Sequence, residues 1–422
     1  MAKYNILLIV DQKTTGLQYH RQLIPHSHIG ENDPDFNIMS IPNIDAITQE
    51  ELKDFHMVQF LREVDQTWTY KSLEIINRCK KLGIKVVYDI DDYWNLDKNH
   101  LIYDQYKLFD IPRQICQILS NVDAVTTTTD HLAGMIHPFN QDVTVIANAI
   151  DPDQPAWRIR NIDSELMRFG WIGGVHHRED IASMRQSFKR IFADKTIYNR
   201  FQICLAGFNV TLPFGNDKYA ELLHLGFDEK VLRSGNYLAI VKEFIKKDYN
   251  PPVAEFINLE RIFTDDYKSV KSDRDYFDYL RQFTPAMDHF ANDKPYKRLW
   301  GKDVFNYADL YNSIDVALVP LNNTPFNICK SQLKIIEAGF MHKAAIVSEV
   351  YPYTIDCVHE ENALMVKPGR NHIDFFTSVR KLVNNPDQAF DLGEALYETV
   401  KDKYHIATQN EIRKDLYKQL LK

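Results

Sequence analysis

The sequence predicts an α/β protein of two Rossmann-like domains that face a cleft, with a mostly helical insertion in the second domain. The chain has 422 residues, short apolar runs alternate with longer helical patterns, and a proline-containing segment interrupts the alternation. A chain of this length exceeds the usual size of one domain. Strands separated by helices indicate right-handed βαβ units and mainly parallel sheets.

The first domain is predicted over residues 1–155. Short runs rich in β-branched residues predict its strands, and periodic apolar positions predict its helices. The strands are expected at 5–10, 37–41, 57–61, 84–89, 123–127 and 143–146, and the helices at 70–82 and 102–119. Residues 151–157 hold two prolines and no periodicity, which predicts a linker between the domains.

The second domain is predicted over residues 156–404. Its strands are expected at 168–172, 201–206, 315–320, 344–348 and 363–366, and its helices at 181–192, 330–338, 373–383 and 389–401. Residues 209–295 are rich in charged and aromatic side chains, and a βαβ crossover needs no segment of this length, so we expect an insertion. A final helical pattern at 409–421 lies in a closing segment, 405–422.

Composition excludes several classes of protein. The net charge of −8 argues against a chain that grips nucleic acid over its whole surface. Five scattered cysteines without a Cys-x-x-Cys pair indicate reduced thiols rather than disulfides or a zinc site. The first apolar run is too short for a signal peptide, and no run of 18 apolar residues occurs. We therefore expect a cytoplasmic protein; peripheral membrane contact and the oligomeric state stay open.

Ligands of open α/β sheets bind beyond the carboxyl ends of the strands, and four segments follow such ends. The first is residues 14–21, where Gly16 permits a tight turn before a helix. Tyr19 and Arg21 are its candidate contacts to an acceptor. A plain connecting loop is the alternative.

The second segment is residues 88–94. Asp89, Asp91 and Asp92 place three carboxylates within four residues, and their mutual repulsion indicates either a use or full solvation. We expect Asp89 to contact an acceptor and Asp91 and Asp92 to act as catalytic carboxylates. A site for Mn²⁺ or Mg²⁺ and a solvated cluster are the alternatives. Trp94 is a candidate floor for a sugar, or a residue of the domain interface.

The third segment is residues 169–180. Gly173 and Gly174 let the backbone approach a diphosphate, and the helix that follows offers free N–H groups. His177 and Arg178 add positive charge or hydrogen-bond donors there. The glycine spacing differs from that of a dinucleotide-binding site.

The fourth segment is residues 320–339, after a very apolar strand. Lys330, Lys334 and Glu337 are spaced by four and three residues, which predicts one face of a helix. Two lysines suit a diphosphate, and a carboxylate one turn on suits the hydroxyls of a ribose. Asn327 and Ser331 lie in the same segment. A surface salt bridge is the alternative.

Together these segments resemble the retaining glycosyltransferases of family 4, or group 1, many of which serve O-antigen or capsule assembly. Residues 145–151 are similar to the family's Ile-Pro-Asn-Gly-Ile-Asp segment, and residues 173–181 resemble a histidine-containing variant of its donor-phosphate loop. The resemblance covers most of the chain outside the insertion. It implies the GT-B fold, His177 as the matching histidine, and a closing helix that crosses back to the first domain.

One departure concerns the two glutamates of the family's signature. Glu337 matches the second, ribose-binding glutamate, whereas Cys329 occupies the position of the first. Asn327, Lys330 and Ser331 are then expected to contact the transferred sugar. His177 and Arg178 replace the family's usual Arg/Lys pair at the diphosphate.

The resemblance implies transfer of a hexosyl or pentosyl group from a nucleotide sugar to a hydroxyl of a glycan or lipid-linked acceptor. It implies retention of configuration, no cofactor beyond the nucleotide sugar and no metal site. His177 and Lys334 join Asp91 and Asp92 as catalytic candidates because the departing diphosphate gains negative charge. Closure of the two domains would exclude water.

Three alternatives remain at this point. A viral-type transferase that modifies hydroxylated bases in DNA would need a basic rim, for which Lys242, Lys246 and Lys247 are candidates. A transferase that binds a divalent metal through Asp89 and Asp91 would lose activity with a chelator. A non-catalytic protein would bind nucleotide sugars without turning them over.

Overall fold

The structure is a computed structural model. It describes residues 3–10, 15–62, 64, 71–98, 100, 102–174, 177–206, 216–233, 239, 243, 246–247, 295–299 and 302–422. Among these residues, no helix is both long and apolar enough to cross a bilayer. All five cysteines have free thiols, as their scattered spacing predicts.

The first sheet has six parallel strands in the order β2-β1-β3-β4-β5-β6. Its strands are β1 Tyr4–Ile9, β2 Phe36–Ile41, β3 Met57–Leu61, β4 Lys85–Asp89, β5 Ala124–Thr127 and β6 Val143–Val145. Each one begins and ends within one residue of its predicted bounds. The agreement follows from burial, because the side chains of β3 and β5 are buried along their whole length.

The second sheet also has six parallel strands, in the order β12-β11-β10-β7-β8-β9. Its strands are β7 Met167–Ile172, β8 Phe201–Ala206, β9 Tyr296–Leu299, β10 Val316–Val319, β11 Ala344–Ser348 and β12 Leu364–Val366. Five match the predicted strands to within one residue, and edge strand β9 is additional. The two sheets with their helices confirm the predicted pair of Rossmann-like domains.

Helices connect the strands throughout the described residues. The α-helices are α1 Gly16–Gln18, α2 Ile24–Asn32, α3 Gln49–Leu52, α4 Lys71–Leu82, α5 Tyr103–Leu108, α6 Ile111–Leu119, α7 Asp130–Ile136, α8 Arg178–Ala182, α9 Arg185–Ala193, α10 Asn216–His224, α11 Glu229–Arg233, α12 Leu333–Phe340, α13 Tyr351–Thr354, α14 Asn371–Asn384, α15 Pro386–Val400 and α16 Ile406–Leu420. A π-helical turn, Tyr19–Leu23, joins α1 to α2, and 3-10 turns cover Ile44–Ala46, Pro155–Trp157, Tyr307–Ser313 and Asn327–Cys329.

Five helix predictions need correction. The helices expected at 389–401 and 409–421 begin three residues earlier, at Pro386 and Ile406. The helix expected at 102–119 is two helices, because Asp110 between them has a left-handed backbone with φ 49°. The helix expected at 181–192 is likewise divided into α8 and α9. The helix expected at 330–338 begins three residues later, at Leu333. Of the predicted insertion, residues 216–233, which include α10 and α11, and residues 239, 243, 246–247 and 295 are described, and the rest lies outside the described residues.

The last helix, α16, packs against the first domain. The ring of Tyr417 stacks on His26 with centroids 6.0 Å apart, and the Asn410 side chain donates to the Pro25 carbonyl at 2.9 Å. Tyr417 is completely buried in a cluster that includes Ile6 and Leu8 of β1. Helix α16 therefore packs on the first strand and the first helices of the chain.

A buried ion pair lies at the carboxyl end of the first sheet. Arg21 donates from Nε and Nη2 to the Asp89 carboxylate at 3.0 and 2.7 Å, and from Nη1 to the Ile146 carbonyl at 2.6 Å. The Thr126 hydroxyl also donates to Asp89, at 2.6 Å. Arg21 and Asp89 are both completely buried. This gives them a structural role in place of the acceptor contact that the sequence predicts, because neither side chain reaches the surface.

The Arg21–Asp89 pair should therefore contribute to stability. We expect Arg21→Met to lower the free energy of unfolding by about 3–5 kcal/mol, because it leaves the Asp89 charge buried without its partner. Urea denaturation measures this change. Lys53→Met removes an exposed pair with Glu50 and should shift the same quantity by less than about 1 kcal/mol. Equal effects of the two substitutions would contradict the structural role.

Candidate active site

The carboxyl edges of the two sheets face each other across a cleft, and polar side-chain contacts span it. Lys330 Nζ lies 3.6 Å from Asp92 Oδ1, and the Asn148 amide donates to Ser331 Oγ at 2.8 Å. His20 Nε2 lies 2.7 Å from the Tyr307 hydroxyl. The second and fourth predicted segments thus meet in space, although they are far apart in the sequence.

Glu337 is buried at the centre of this junction, with 1% of its side chain exposed. Tyr307 donates to Oε1 at 2.5 Å, and Tyr311 and Lys334 donate to Oε2 at 2.7 and 2.8 Å. Burial, the strongest influence, favours the neutral acid, yet Lys334 holds the pKa of Glu337 below its ordinary value. The carboxylate is therefore charged and saturated with donors.

His20 extends this network into the first domain. The Tyr307 hydroxyl hydrogen is used on Glu337, which leaves the Tyr307 oxygen as an acceptor for His20 Nε2, and the imidazole also contacts the Ala149 backbone. Burial lowers the pKa of His20 to about 4, although Glu337, 3.9 Å away, opposes the shift. A neutral imidazole therefore joins the domains near neutral pH.

Lys330 and Ser331 precede helix α12 and do not share a face with Glu337, which corrects the predicted spacing argument. Lys330 has an extended backbone, with φ −67° and ψ 162°, after the 3-10 turn Asn327–Cys329. Its ammonium group lies 4.6 Å from the centroid of the Phe326 ring and faces Asp92. The lysine is thereby directed across the cleft, whereas Lys334 remains on the helix beside Glu337.

Asp91 and Asp92 both accept hydrogen bonds from Arg62, at 2.8 and 2.5 Å. Arg62 has a left-handed backbone, φ 54°, at the end of β3, which directs its side chain to this pair. Burial raises the pKa of Asp91 to about 6, and Arg62 opposes that shift. Burial acts on Asp92 in the same sense, but Lys330 and Arg62 hold its pKa well below the ordinary value. In the described part of the chain, no three His, Cys, Asp or Glu side chains cluster as metal ligands would.

The glycine segment follows β7, which lies beside β10 in the sheet, so it adjoins the Lys330 loop. A Cβ atom on Gly173 would lie 2.6 Å from the Trp171 ring, so this position requires glycine. Gly174 is exposed with open space around it. Arg178 is half-exposed and pairs with Glu179 at 3.5 Å. Val175 and His176 lie outside the described residues.

His177 is held by an aspartate that sequence reasoning did not single out. Asp180 Oδ2 lies 2.9 Å from His177 Nδ1, while Oδ1 accepts from the Asn322 backbone N–H and the Asn327 side chain at 2.8 and 3.1 Å. The predicted donor residue Asn327 is thus 7% exposed and serves this network. In the sequence, the signal for this contact is the spacing of three residues between His177 and Asp180 at the start of a helix.

The predicted acceptor residues are dispersed. Gly16 is exposed and lies against Val304 of the second domain, with 4.0 Å between an ideal Cβ and the nearest methyl group. Tyr19 is buried, edge-on to Phe305 and Tyr307. Trp94 is 5% exposed in a core cluster that includes Cys329 of the second domain, so it presents no face to a sugar, which corrects that prediction.

Comparison with solved structures finds proteins of the same fold. A glycosyltransferase from Rickettsia africae ESF-5 is 9% identical, with a TM-score of 0.56 and all of both chains covered. HepE of Anabaena, solved with UDP and glucose, is 8% identical with a TM-score of 0.56, and 98% of this chain and 99% of that one are covered. Sucrose-phosphate synthase from Thermosynechococcus elongatus is 13% identical with a TM-score of 0.59, and 99% of each chain is covered.

At these identities the likeness shows the fold, which is GT-B. No model of a known protein family matches the sequence, and no curated protein matches it.

The neutral state of His20 leads to a pH-dependent stability. The pKa of His20 in the folded protein, about 4, lies below its ordinary value. Between pH 6.5 and 4 the unfolded chain therefore binds a proton that the folded chain does not bind. As a result, the free energy of unfolding decreases when the pH is lowered through this range. On lowering the pH from 7 to 5, the wild type should lose about 2 kcal/mol more than His20→Gln. Urea denaturation at both pH values measures the difference. Equal losses in the two proteins would show that His20 is not held neutral.

Proposed function

We propose that the chain is a glycosyltransferase that moves a sugar from a nucleoside-diphosphate sugar to a hydroxyl group of an acceptor. The observation that carries the proposal is the meeting of Lys330, Lys334 and Glu337 with a glycine segment between two facing Rossmann-like sheets. Ligands of such sheets bind at this edge. HepE was solved with UDP-glucose, which favours a UDP-linked hexose as the donor.

The diphosphate of the donor is assigned to the space between Lys330, Lys334 and the segment at Gly173 and Gly174. The side chains of both lysines are 19% exposed, so their charges act in a partly dehydrated setting where they are stronger than in water. As the bond from the anomeric carbon to the diphosphate breaks, negative charge grows on the leaving oxygen. The lysines then stabilise the transition state more than the bound substrate.

The ribose is assigned to Glu337. The Tyr307 hydroxyl donates a hydrogen bond to this carboxylate, and a ribose hydroxyl would donate the same kind of bond. Tyr307 is only partly buried. Likewise the Asp92 carboxylate contacts Lys330 at the position that a phosphate oxygen of the donor would occupy. Donor binding would therefore exchange one oxygen partner for another, which avoids leaving a buried charge without a partner.

Asp91 and Asp92 are assigned to the acceptor and its proton. They lie beside Lys330 on the edge of the first sheet, so a hydroxyl held there would approach the anomeric carbon from the first domain. A pKa of about 6 lets Asp91 take up a proton near neutral pH. Retention of configuration, independence of metal and a role in surface-glycan synthesis belong to the same proposal and rest on the family resemblance.

The DNA-modifying alternative has less support. Of its three candidate lysines, Lys246 pairs with Glu243 at 3.7 Å and Lys247 lies over the Phe227 ring, 5.3 Å from its centroid. Lys242 lies outside the described residues. Measuring both the binding of UDP-glucose and the release of UDP distinguishes non-catalytic binding from sugar transfer.

The donor assignment is tested by binding and turnover. UDP-glucose should raise the melting temperature of the wild type, because a ligand present at 100 times its Kd stabilises the native state by about 2.7 kcal/mol. Lys330→Ala and Lys334→Ala should each weaken that shift and slow release of UDP by about 10²-fold. Of the two site residues on α12, Lys334 and Glu337, we substitute Lys334, because Tyr307 and Tyr311 still donate hydrogen bonds to Glu337 in Lys334→Ala.

Lys195→Ala is the matched control, since Lys195 is exposed on the second domain and lies outside the cleft. It should behave as the wild type. Wild-type turnover in Lys330→Ala and Lys334→Ala would reject the donor site. Binding of UDP-glucose without turnover, in the presence of acceptors that other GT-B enzymes use, would favour the non-catalytic alternative.

A further inference from the structure

Asp180 joins the two segments that the proposed function assigns to the diphosphate. It is 5% exposed, and its two oxygens face donors on both sides: Asn322 and Asn327 at Oδ1, and His177 at Oδ2. The first two belong to the loop after β10, and His177 precedes α8. A single carboxylate therefore fixes the histidine relative to the loop that carries Lys330.

This contact determines which ring nitrogen of His177 carries the hydrogen. An ionised carboxylate only accepts hydrogen bonds, so the nitrogen 2.9 Å from Asp180, Nδ1, must donate. In the neutral ring Nε2 then holds a lone pair. The Trp171 ring packs edge-on to the imidazole, with centroids 5.2 Å apart, and limits its rotation.

Charged groups surround His177 on every side that the structure describes. On its own segment, Asp180 attracts a proton to the ring, whereas Arg178 and Glu179 pair with each other at 3.5 Å. Across the cleft, Asp92 interacts electrostatically with the ring. From the adjoining loop and α12, Lys330 and Lys334 repel a proton. Burial is the largest influence and, with the two lysines, it keeps the pKa of His177 below its ordinary value.

We propose that binding of a diphosphate beside Lys330 and Lys334 is coupled to uptake of one proton from solvent by Nε2 of His177, and that Asp180 is the positioning residue for this step. The inference rests on the proposed function, because it concerns the same diphosphate. The phosphate charges offset both lysines, which removes the repulsion at the ring. The new Nε2–H then donates to a phosphate oxygen, while Asp180 stabilises the imidazolium from the other side. When the diphosphate leaves, the proton returns to solvent.

Titration calorimetry of the full chain tests the coupling. UDP-glucose is the probe, because its diphosphate has no group that titrates near neutral pH. Binding at pH 7.5 in buffers of different ionisation enthalpy should reveal uptake of about 0.5–1 proton per molecule bound, and affinity should fall by up to about 10-fold per pH unit above this pH. Uridine, which lacks phosphate, should cause no uptake.

Two substitutions locate the proton. His177→Gln should abolish the uptake and make the affinity for UDP-glucose independent of pH. Asp180→Asn should also abolish it and lower the affinity by about 10-fold, because an amide does not stabilise the imidazolium. Asp180→Glu restores the carboxylate and should recover part of the uptake. His137→Gln, at an exposed histidine of the first domain, is the control and should keep the full uptake.

A spectroscopic measurement covers the case in which the Asp180 variants do not fold. Nitrogen-15 NMR of the wild type should show His177 with its hydrogen on Nδ1 before UDP-glucose is added, and on both nitrogens afterwards. A hydrogen on Nε2 alone in the free protein would overturn the inference. So would binding of UDP-glucose without proton uptake, which leaves the proposed function intact. Failure of UDP-glucose to bind at all would overturn both.

Discussion

Burial of the Glu337 charge between the two domains is the constraint on which the cleft depends. Removing an ion from water costs several kcal/mol unless other groups replace the lost hydration. Tyr307 and Tyr311, from one 3-10 turn, and Lys334, from the helix that carries Glu337, supply that replacement. His20 adds the first domain to the network through Tyr307. One carboxylate thereby determines how the turn at 307–313, helix α12 and the π-helical turn at 19–23 fit together.

The same principle applies to two further carboxylates of the cleft. Asp92 faces Lys330 across it, and Asp180 pairs with His177 within the second domain. These contacts keep the cleft ordered without a ligand, and they use oxygen atoms of the kind that a nucleotide sugar would bring. On the proposed function, a donor would enter by exchange of partners, with a small change in desolvation. The two lysines would then lie where the departing diphosphate gains charge.

The strands were predictable from sequence because buried parallel strands are continuous apolar runs. Strand β9 was missed because Lys297 and Arg298 interrupt its apolar pattern. Other features depend on tertiary placement. Arg21 and Asp89 meet because β4 lies two strands from β1 in the sheet, an order that local patterns do not contain. Tyr307 lies 30 residues before Glu337, so no spacing rule joins them. The contact between Lys334 and Glu337 follows from their spacing of three on one helix, whereas the extended backbone of Lys330 depends on tertiary placement.

A crystal structure of the chain with UDP would locate the donor site without relying on an acceptor. We expect the diphosphate within hydrogen-bonding distance of Lys330 Nζ and Lys334 Nζ, with the Lys330–Asp92 contact opened. We also expect a ribose hydroxyl on Glu337 in place of the Tyr307 hydroxyl. UDP bound outside the cleft, or bound within it while Lys330 still faces Asp92 and Tyr307 still covers Glu337, would show that these residues do not form the donor site.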